Sequence, residues 1–216
     1  MELVLFGATG NIGRRVAAEA LRRGHEVVGV VRDPAAVQSP DPRVRLLKGD
    51  ATNAESVADV VRGADAVVSA ISPRPNARGL PAPSLAANSR ALIAGLRSAG
   101  VKRVLYVGGA SSLEVAPGKA LADQPDFPEI YKAEAEEGRD ALRIWRGEAH
   151  GLEWTYLSPA AEIAAGTRTG SYRTTRDQLL VDSKGRSFIS FEDYAVAVLD
   201  ELERPQHVGE RFGVAY

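Results

Sequence analysis

The segment Gly7-Ala8-Thr9-Gly10-Asn11-Ile12-Gly13 follows the apolar run Leu3-Val4-Leu5-Phe6 and opens a helical pattern, and this order of strand, turn and helix decides how the rest of the chain is read. A glycine-rich turn in that setting brings backbone N–H groups and the positive end of a helix onto a pyrophosphate. Gly7 permits the tight turn, Gly10 lets the backbone approach phosphates without a Cβ, and Gly13 lets the helix pack closely on the strand. Strand, turn and helix fall in register here, so a dinucleotide site is expected; a purely structural turn is the alternative.

Outward from the turn, short β-branched runs alternate with helical patterns. Strands are expected near 2–6, 26–31, 44–48, 65–71 and 103–108, with helices near 11–23, 53–62 and 84–99 between them. Such alternation implies a parallel sheet covered on both faces. In the first helix Ile12, Val16, Ala20 and Leu21 form the packing stripe, and Gly24 stops the helix. Two proline-bearing stretches interrupt the pattern, Ser72 to Ser84 with Pro73, Pro75, Pro81 and Pro83, and Glu114 to Pro128. Neither can be regular helix or central strand. Both follow strands, where an open α/β sheet holds its ligand crevice, so they are read as substrate loops or as plain surface connections.

Further on, a long helix is expected near 129–149, with Asp126 and Glu129 in capping-box spacing. A strand near 153–157, an ambiguous β-rich stretch over 171–190, a helix over 191–203 capped by Ser190 with Asp193, and a last strand near 211–214 complete the pattern.

The 216 residues, 44% hydrophobic, fit one domain spanning 1–216 better than two. With 27 basic and 28 acidic side chains the net charge is −1, and only 6% of residues are aromatic, so neither a nucleic acid nor an anionic membrane is expected as partner. The absence of cysteine excludes disulfides and thiolate chemistry, and His25, His150 and His207 stand in no metal-ligand spacing, so no metal is expected. The N-terminus lacks the pattern of a signal peptide and no apolar run reaches membrane-spanning length, which points to a cytoplasmic protein acting on a small molecule as a monomer or homodimer.

The spacing G-x-x-G-x-x-G departs from G-x-G-x-x-G and resembles the GATGxxG turn of the extended and atypical short-chain dehydrogenase/reductases. The resemblance spans nearly the whole chain and includes Val31-Arg32-Asp33-Pro34, Gly49-Asp50, Gly100-Val101-Lys102-Arg103-Val104 and Ile189-Ser190-Phe191-Glu192-Asp193-Tyr194-Ala195. Val107-Gly108-Gly109-Ala110-Ser111-Ser112 and the residues up to Gly118 look like the NAD(P)H-binding, NmrA-like branch, in the subgroup called NADH-flavin reductases. The resemblance implies a doubly wound Rossmann fold with three layers, α/β/α. Its cofactor half would be about 1–110 and its substrate side mainly 111–190. It also implies that Asp50 lies near the adenine, that Ala70-Ile71-Ser72 passes beside the cofactor ribose, and that the backbone of Ser158-Pro159-Ala160 meets the nicotinamide.

An acid at the end of the second strand selects NAD, whereas an arginine there pairs with the 2′-phosphate of NADP. The first residue past that strand is Arg32, and Arg14 can approach the same phosphate from the helix, so NADP is favoured over NAD. Asp33 could serve as an acidic selector, although Pro34 makes a turn or N-cap role more natural.

Carbonyl-reducing members of the superfamily use a tyrosine acid, a lysine one turn later and a serine. Tyr131, on a stripe with Ala135, Gly138, Leu142 and Trp145, and Ser111 or Ser112 are the candidates, but the lysine position is Ala135, and Lys132 points elsewhere on the helix. Asn88 falls on the apolar stripe of Leu85, Leu92 and Leu96, as a cofactor-facing group or a satisfied internal amide. Hydride transfer needs no protein nucleophile, so the missing lysine favours flavins, quinones or similar conjugated acceptors over simple ketones. A redox sensor without catalysis and a nucleotide-sugar epimerase or dehydratase are the competing readings.

Overall fold

The structure is a computed structural model that describes residues 1–74 and 83–216. Pro75 and Pro81 of the first proline-bearing stretch lie outside the described residues. The first half comprises β1 (Glu2–Phe6), α1 (Asn11–Arg22), β2 (Glu26–Val31), β3 (Arg45–Lys48), α2 (Ala54–Val61), β4 (Ala66–Ser69), α3 (Leu85–Ala99) and β5 (Arg103–Val107). The second comprises β6 (Glu114–Ala116), β7 (Lys119–Ala120), α4 (Lys132–Glu148), β8 (Glu153–Ser158), β9 (Glu162–Ala164), β10 (Arg173–Thr175), β11 (Phe188–Ser190), α5 (Phe191–Glu203) and β12 (Glu210–Ala215).

Eight strands form one sheet in the order β10-β12-β8-β5-β4-β1-β2-β3. The pairs are parallel throughout except β10 with β12. Alternation along β1 sends Leu3 and Leu5 to one face, where α1 and α5 pack through Val16, Ala17, Ala20, Tyr194, Val198 and Leu199. Val4 and Phe6 point to the other, covered by α2, α3 and α4 through Val57, Val61, Leu92, Leu96 and Trp145. The fold is thus the doubly wound Rossmann arrangement, three layers deep, and the strand order reverses between β1 and β4.

The second face holds an aromatic stack beneath α4. Tyr106 lies 5.5 Å from Tyr156 and 5.4 Å from Trp145 between ring centroids. A Cβ at Gly108 would sit 1.9 Å from the Tyr156 ring, so only glycine leaves room for it. The Tyr156 hydroxyl donates to the Gly138 carbonyl at 3.0 Å, and burial pushes its phenol up to about 12.

Most element boundaries fall within a residue or two of expectation, and three regions differ. The helix expected from 129 starts at Lys132, after a 3-10 turn at Glu129–Tyr131. No side chain caps either turn, so the Asp126 and Glu129 capping box does not form; the Tyr131 amide bonds the Pro128 carbonyl at 3.0 Å instead. The stretch from Glu114 contains the small hairpin β6–β7. Of the β-rich region 171–190 only β10 and β11 are strands, and β11 pairs with the unforeseen β9.

Candidate functional site

Helices that return between parallel strands run opposite to them, so α1, α3 and α4 begin at the carboxyl edge of the sheet, beside the point where strand order reverses. There the turn after β1 is made almost entirely of backbone. Gly7 has φ +79°, and a Cβ on it would lie 2.5 Å from the Ala70 carbonyl oxygen. A Cβ on Gly13 would lie 2.0 Å from the Gly7 carbonyl oxygen, so α1 rests directly on the turn. Gly10 is the extended N-cap, with no side-chain cap and no acidic residue in the first helical turn. The amides of Asn11, Ile12 and Gly13 therefore open the helix toward the crevice, a cradle whose shape and sign suit a pyrophosphate. Ala8 is buried and Thr9 exposed on the turn, while Arg14 donates to the Asn11 side chain at 2.6 Å.

Past β2, Arg32 is exposed and adjoins Asp33, whose carboxylate accepts from the Ala35 amide at 3.1 Å to cap the 3-10 turn Pro34–Ala36. Asp33 thus takes the turn role. Asp50 accepts from the amide and hydroxyl of Thr52 at 2.8 and 2.7 Å. Those bonds, with the nearby charge of Arg32, hold its carboxyl below the usual range. The Gly49 amide bonds the Val31 carbonyl at 2.9 Å, so Arg32 and Asp50 follow two paired strand ends.

Ala70 bonds the Phe6 carbonyl through its amide, which seats 70–72 against the glycine turn. Ser158 and Pro159 are buried at the end of β8, where the Tyr194 hydroxyl holds the Leu157 carbonyl at 2.6 Å. Asn88 proves to be a satisfied internal amide. It donates to the Ala51 carbonyl at 2.9 Å and accepts from Ser69 at 3.2 Å, tying α3 to the end of β4.

The candidate catalytic residues are not assembled as an acid. Ser111 turns to the Ala135 carbonyl at 3.4 Å, and Ser112 accepts from Arg211 at 3.3 Å. Arg211 itself is buried and bonded to Asp177. Tyr131 is 41% exposed at the cap of α4, whereas Ala135, Gly138, Leu142 and Trp145 are buried. The apolar stripe leaves the core one turn before it reaches Tyr131. Lys132 Nζ lies 2.5 Å from Glu129, and the lysine position one turn on is the buried Ala135.

Sequence reasoning missed Arg74, whose guanidinium lies 5.4 Å over the Tyr131 ring while bonding Glu134. No local spacing could reveal a contact across some sixty residues. It also missed what the Glu192-Asp193 pair does. Asp193, fully buried, accepts from the Thr169 and Gly170 amides and the Tyr216 hydroxyl. Glu192 accepts from the Gly166 amide at 2.8 Å and from Arg15 at 3.0 Å. Together they fasten residues 166–170 beside α1.

The family described as NAD(P)H-binding matches residues 7–205, from the glycine turn to just beyond α5. The chain belongs to the NAD(P)H-binding family. Within it, this NAD(P)H-binding protein is 42% identical to the uncharacterised Bacillus subtilis protein YwnB over 217 aligned residues, 99% of this chain and 98% of YwnB. The crystal structure of a candidate epimerase from Bacteroides thetaiotaomicron matches at a TM-score of 0.87 with 39% identity, covering 100% of this chain and 96% of that one. A candidate NADH-flavin reductase from Streptococcus pneumoniae matches at 0.82 with 33% identity, covering 100% and 99%. The NAD(P)H-binding assignment agrees with the resemblance carried by GATGNIG and by the segment Ile189 to Ala195. Among the described residues no helix is long and apolar enough to cross a membrane.

Proposed function

We propose that this protein is an NAD(P)H-dependent reductase, with NADPH as the preferred cofactor and a flavin, quinone or similar conjugated small molecule as acceptor. The observation that carries the reading is the backbone cradle at Gly7 and Gly13, closed to any side chain and opening three helix amides toward the crevice. Residues 1–216 act as one domain, about 1–110 holding the cofactor and 111–190 the acceptor.

A bound nicotinamide dinucleotide supplies the hydride. The turn Gly7 to Gly13 binds the pyrophosphate through its amides, and Arg32 with Arg14 pairs with the 2′-phosphate. Asp50 flanks the adenine, Ala70, Ile71 and Ser72 pass beside the ribose, and Ser158 and Pro159 wall the nicotinamide end against water. Ser111 or Ser112 orients the acceptor by a hydrogen bond, and solvent supplies the proton, because Tyr131 has no lysine one turn later to assist it. An acceptor able to take hydride into a conjugated system suits that arrangement better than a ketone. The similarity to a structure named as a candidate epimerase keeps an epimerase as a competing reading.

Calorimetric titration with NADPH and NADH tests the cofactor half. NADPH is expected to bind the more tightly, and Arg32→Ala to erase about tenfold of that preference, the size of a partly solvated charge-assisted contact. If neither nucleotide binds, the turn is structural and the reading fails. A broad acceptor panel tests the other half. Tight NADPH binding with no turnover would favour a redox sensor, a reading supported by the engagement of the Ser111 hydroxyl with the Ala135 carbonyl.

A further inference from the structure

We propose that Arg74 and Tyr131 form an acceptor subsite selective for flat, conjugated molecules that carry an anionic group. The inference rests on the reductase reading above and narrows its substrate class. Tyr131 and Arg74 stand at the rim of the crevice for topological reasons. The first lies at the start of α4, at the carboxyl edge of the sheet. The second lies two residues past Ser72, whose hydroxyl accepts from the Arg74 amide at 3.2 Å, so Arg74 starts within about 7 Å of the segment seated on the glycine turn.

Two adjacent apolar side chains are left uncovered at this rim, Ile130 at 80% exposure and Tyr131 at 41%. Beside them the Arg74 guanidinium is held in a set plane. Its Nε and Nη2 donate to the two oxygens of Glu134 at 2.6 and 3.1 Å, and its carbon lies 5.4 Å over the Tyr131 ring. Nη1 has no hydrogen-bond partner among the described residues. Arg74 is 60% exposed and Glu134 35%, so water screens this pair, while the two bonds to Glu134 fix the plane of the guanidinium. The neighbouring acids are otherwise engaged, Glu129 by Lys132 and Glu137 by the Leu85 amide.

A planar conjugated ring stacks on aromatic and guanidinium faces alike, and a phosphate or carboxylate suits the open edge of the guanidinium fork. In this assignment Tyr131 is a platform for the acceptor, and its hydroxyl carries no proton-transfer role.

FMN and riboflavin share one ring system and differ by a phosphate, so they separate the two parts of the subsite. Their binding is measured by quenching of flavin fluorescence with the protein saturated in NADP⁺, where no turnover occurs. FMN is expected to bind about tenfold more tightly than riboflavin, and Arg74→Gln to bring the two together while NADPH affinity stays unchanged. Tyr131→Leu is expected to weaken both flavins by about tenfold. Equal binding of the two flavins to the unaltered protein would overturn the subsite. So would an Arg74→Gln variant that loses both flavins alike, or one that loses NADPH. FMN binding through Arg74 without NADPH oxidation by any acceptor would sink the reductase reading and leave the subsite standing. Quinone reduction without an Arg74-dependent flavin preference would do the reverse.

Discussion

Gly13→Ala is expected to lower NADPH affinity by about 100-fold or more, equal to roughly 2.8 kcal/mol of binding free energy. The added Cβ would meet the Gly7 carbonyl oxygen at 2.0 Å, and that neighbour is backbone, with no flexible end to swing aside. Helix α1 must shift by on the order of 1 Å to restore ordinary contact, carrying the Asn11 and Ile12 amides away from the crevice. Because α1 also packs on β1 and α5 through Val16, Ala17 and Ala20, the same shift should cost about 1–3 kcal/mol of stability. Gly10→Ala is the informative companion. Its Cβ meets only the Gly7 carbonyl oxygen at 3.3 Å, so the melting temperature should hold while NADPH binding weakens. Calorimetry and thermal melts on both variants check the pair, and normal NADPH affinity in Gly13→Ala would remove the cradle from the cofactor site.

The second large effect is expected at Glu19, which is 5% exposed and accepts hydrogen bonds from Arg22, Arg23 and Arg168 at 2.6 to 3.0 Å. Arg23 continues to Asp200 and Glu203, so one carboxylate joins α1, α5 and the 166–170 segment. Glu19→Ala should lower unfolding stability by about 2–3 kcal/mol, somewhat below the usual cost of breaking a buried pair, because Arg22 and Arg168 can turn to water. Burial alone would raise the Glu19 pKa, but the arginine hydrogen bonds outweigh it and hold the carboxyl well below its ordinary 4.5. A carboxylate depressed on folding stabilises fully above its unfolded pKa, and that contribution is lost as pH falls from about 4.5 toward the folded value. Urea unfolding across pH 3 to 7 should therefore show a flatter acid limb in Glu19→Gln than in the unaltered chain. Identical limbs would mean that the carboxylate is not held as the structure shows.

The parts of this architecture that were legible in the sequence are those written locally. The alternation of Val-rich runs with amphipathic stripes through residue 108 and the three glycines of the first turn depend on neighbours in the chain. So does the Ser190 cap, whose hydroxyl accepts from the Asp193 amide at 2.9 Å. The absence of a lysine one turn after Tyr131 was equally readable, since helical spacing alone places Ala135 there. What escaped was long-range or short. β9 and β11 are three-residue strands that pair across a span of two dozen residues, too brief for a period of two to register. The 3-10 turn after Pro128 displaced a helix start whose letters matched a capping box. Tyr131 continued an apolar period past the point where a core lay beneath it, and its arginine partner arrives from a different strand end.

The glycine turn after β1 meets main chain at both Gly7 and Gly13, whereas the rim is formed by the exposed side chains of Arg74, Ile130 and Tyr131. Mutational drift meets these two zones very differently. A side chain at Gly7 or Gly13 strikes backbone at 2.5 or 2.0 Å, while surface replacements at the rim typically shift stability by no more than about 0.5 kcal/mol. On the proposed reading, a few point changes at the rim would alter acceptor choice while leaving the glycine turn untouched. A randomised library confined to those three rim positions should keep its folded population almost intact, so any change in acceptor choice could be read without a stability correction.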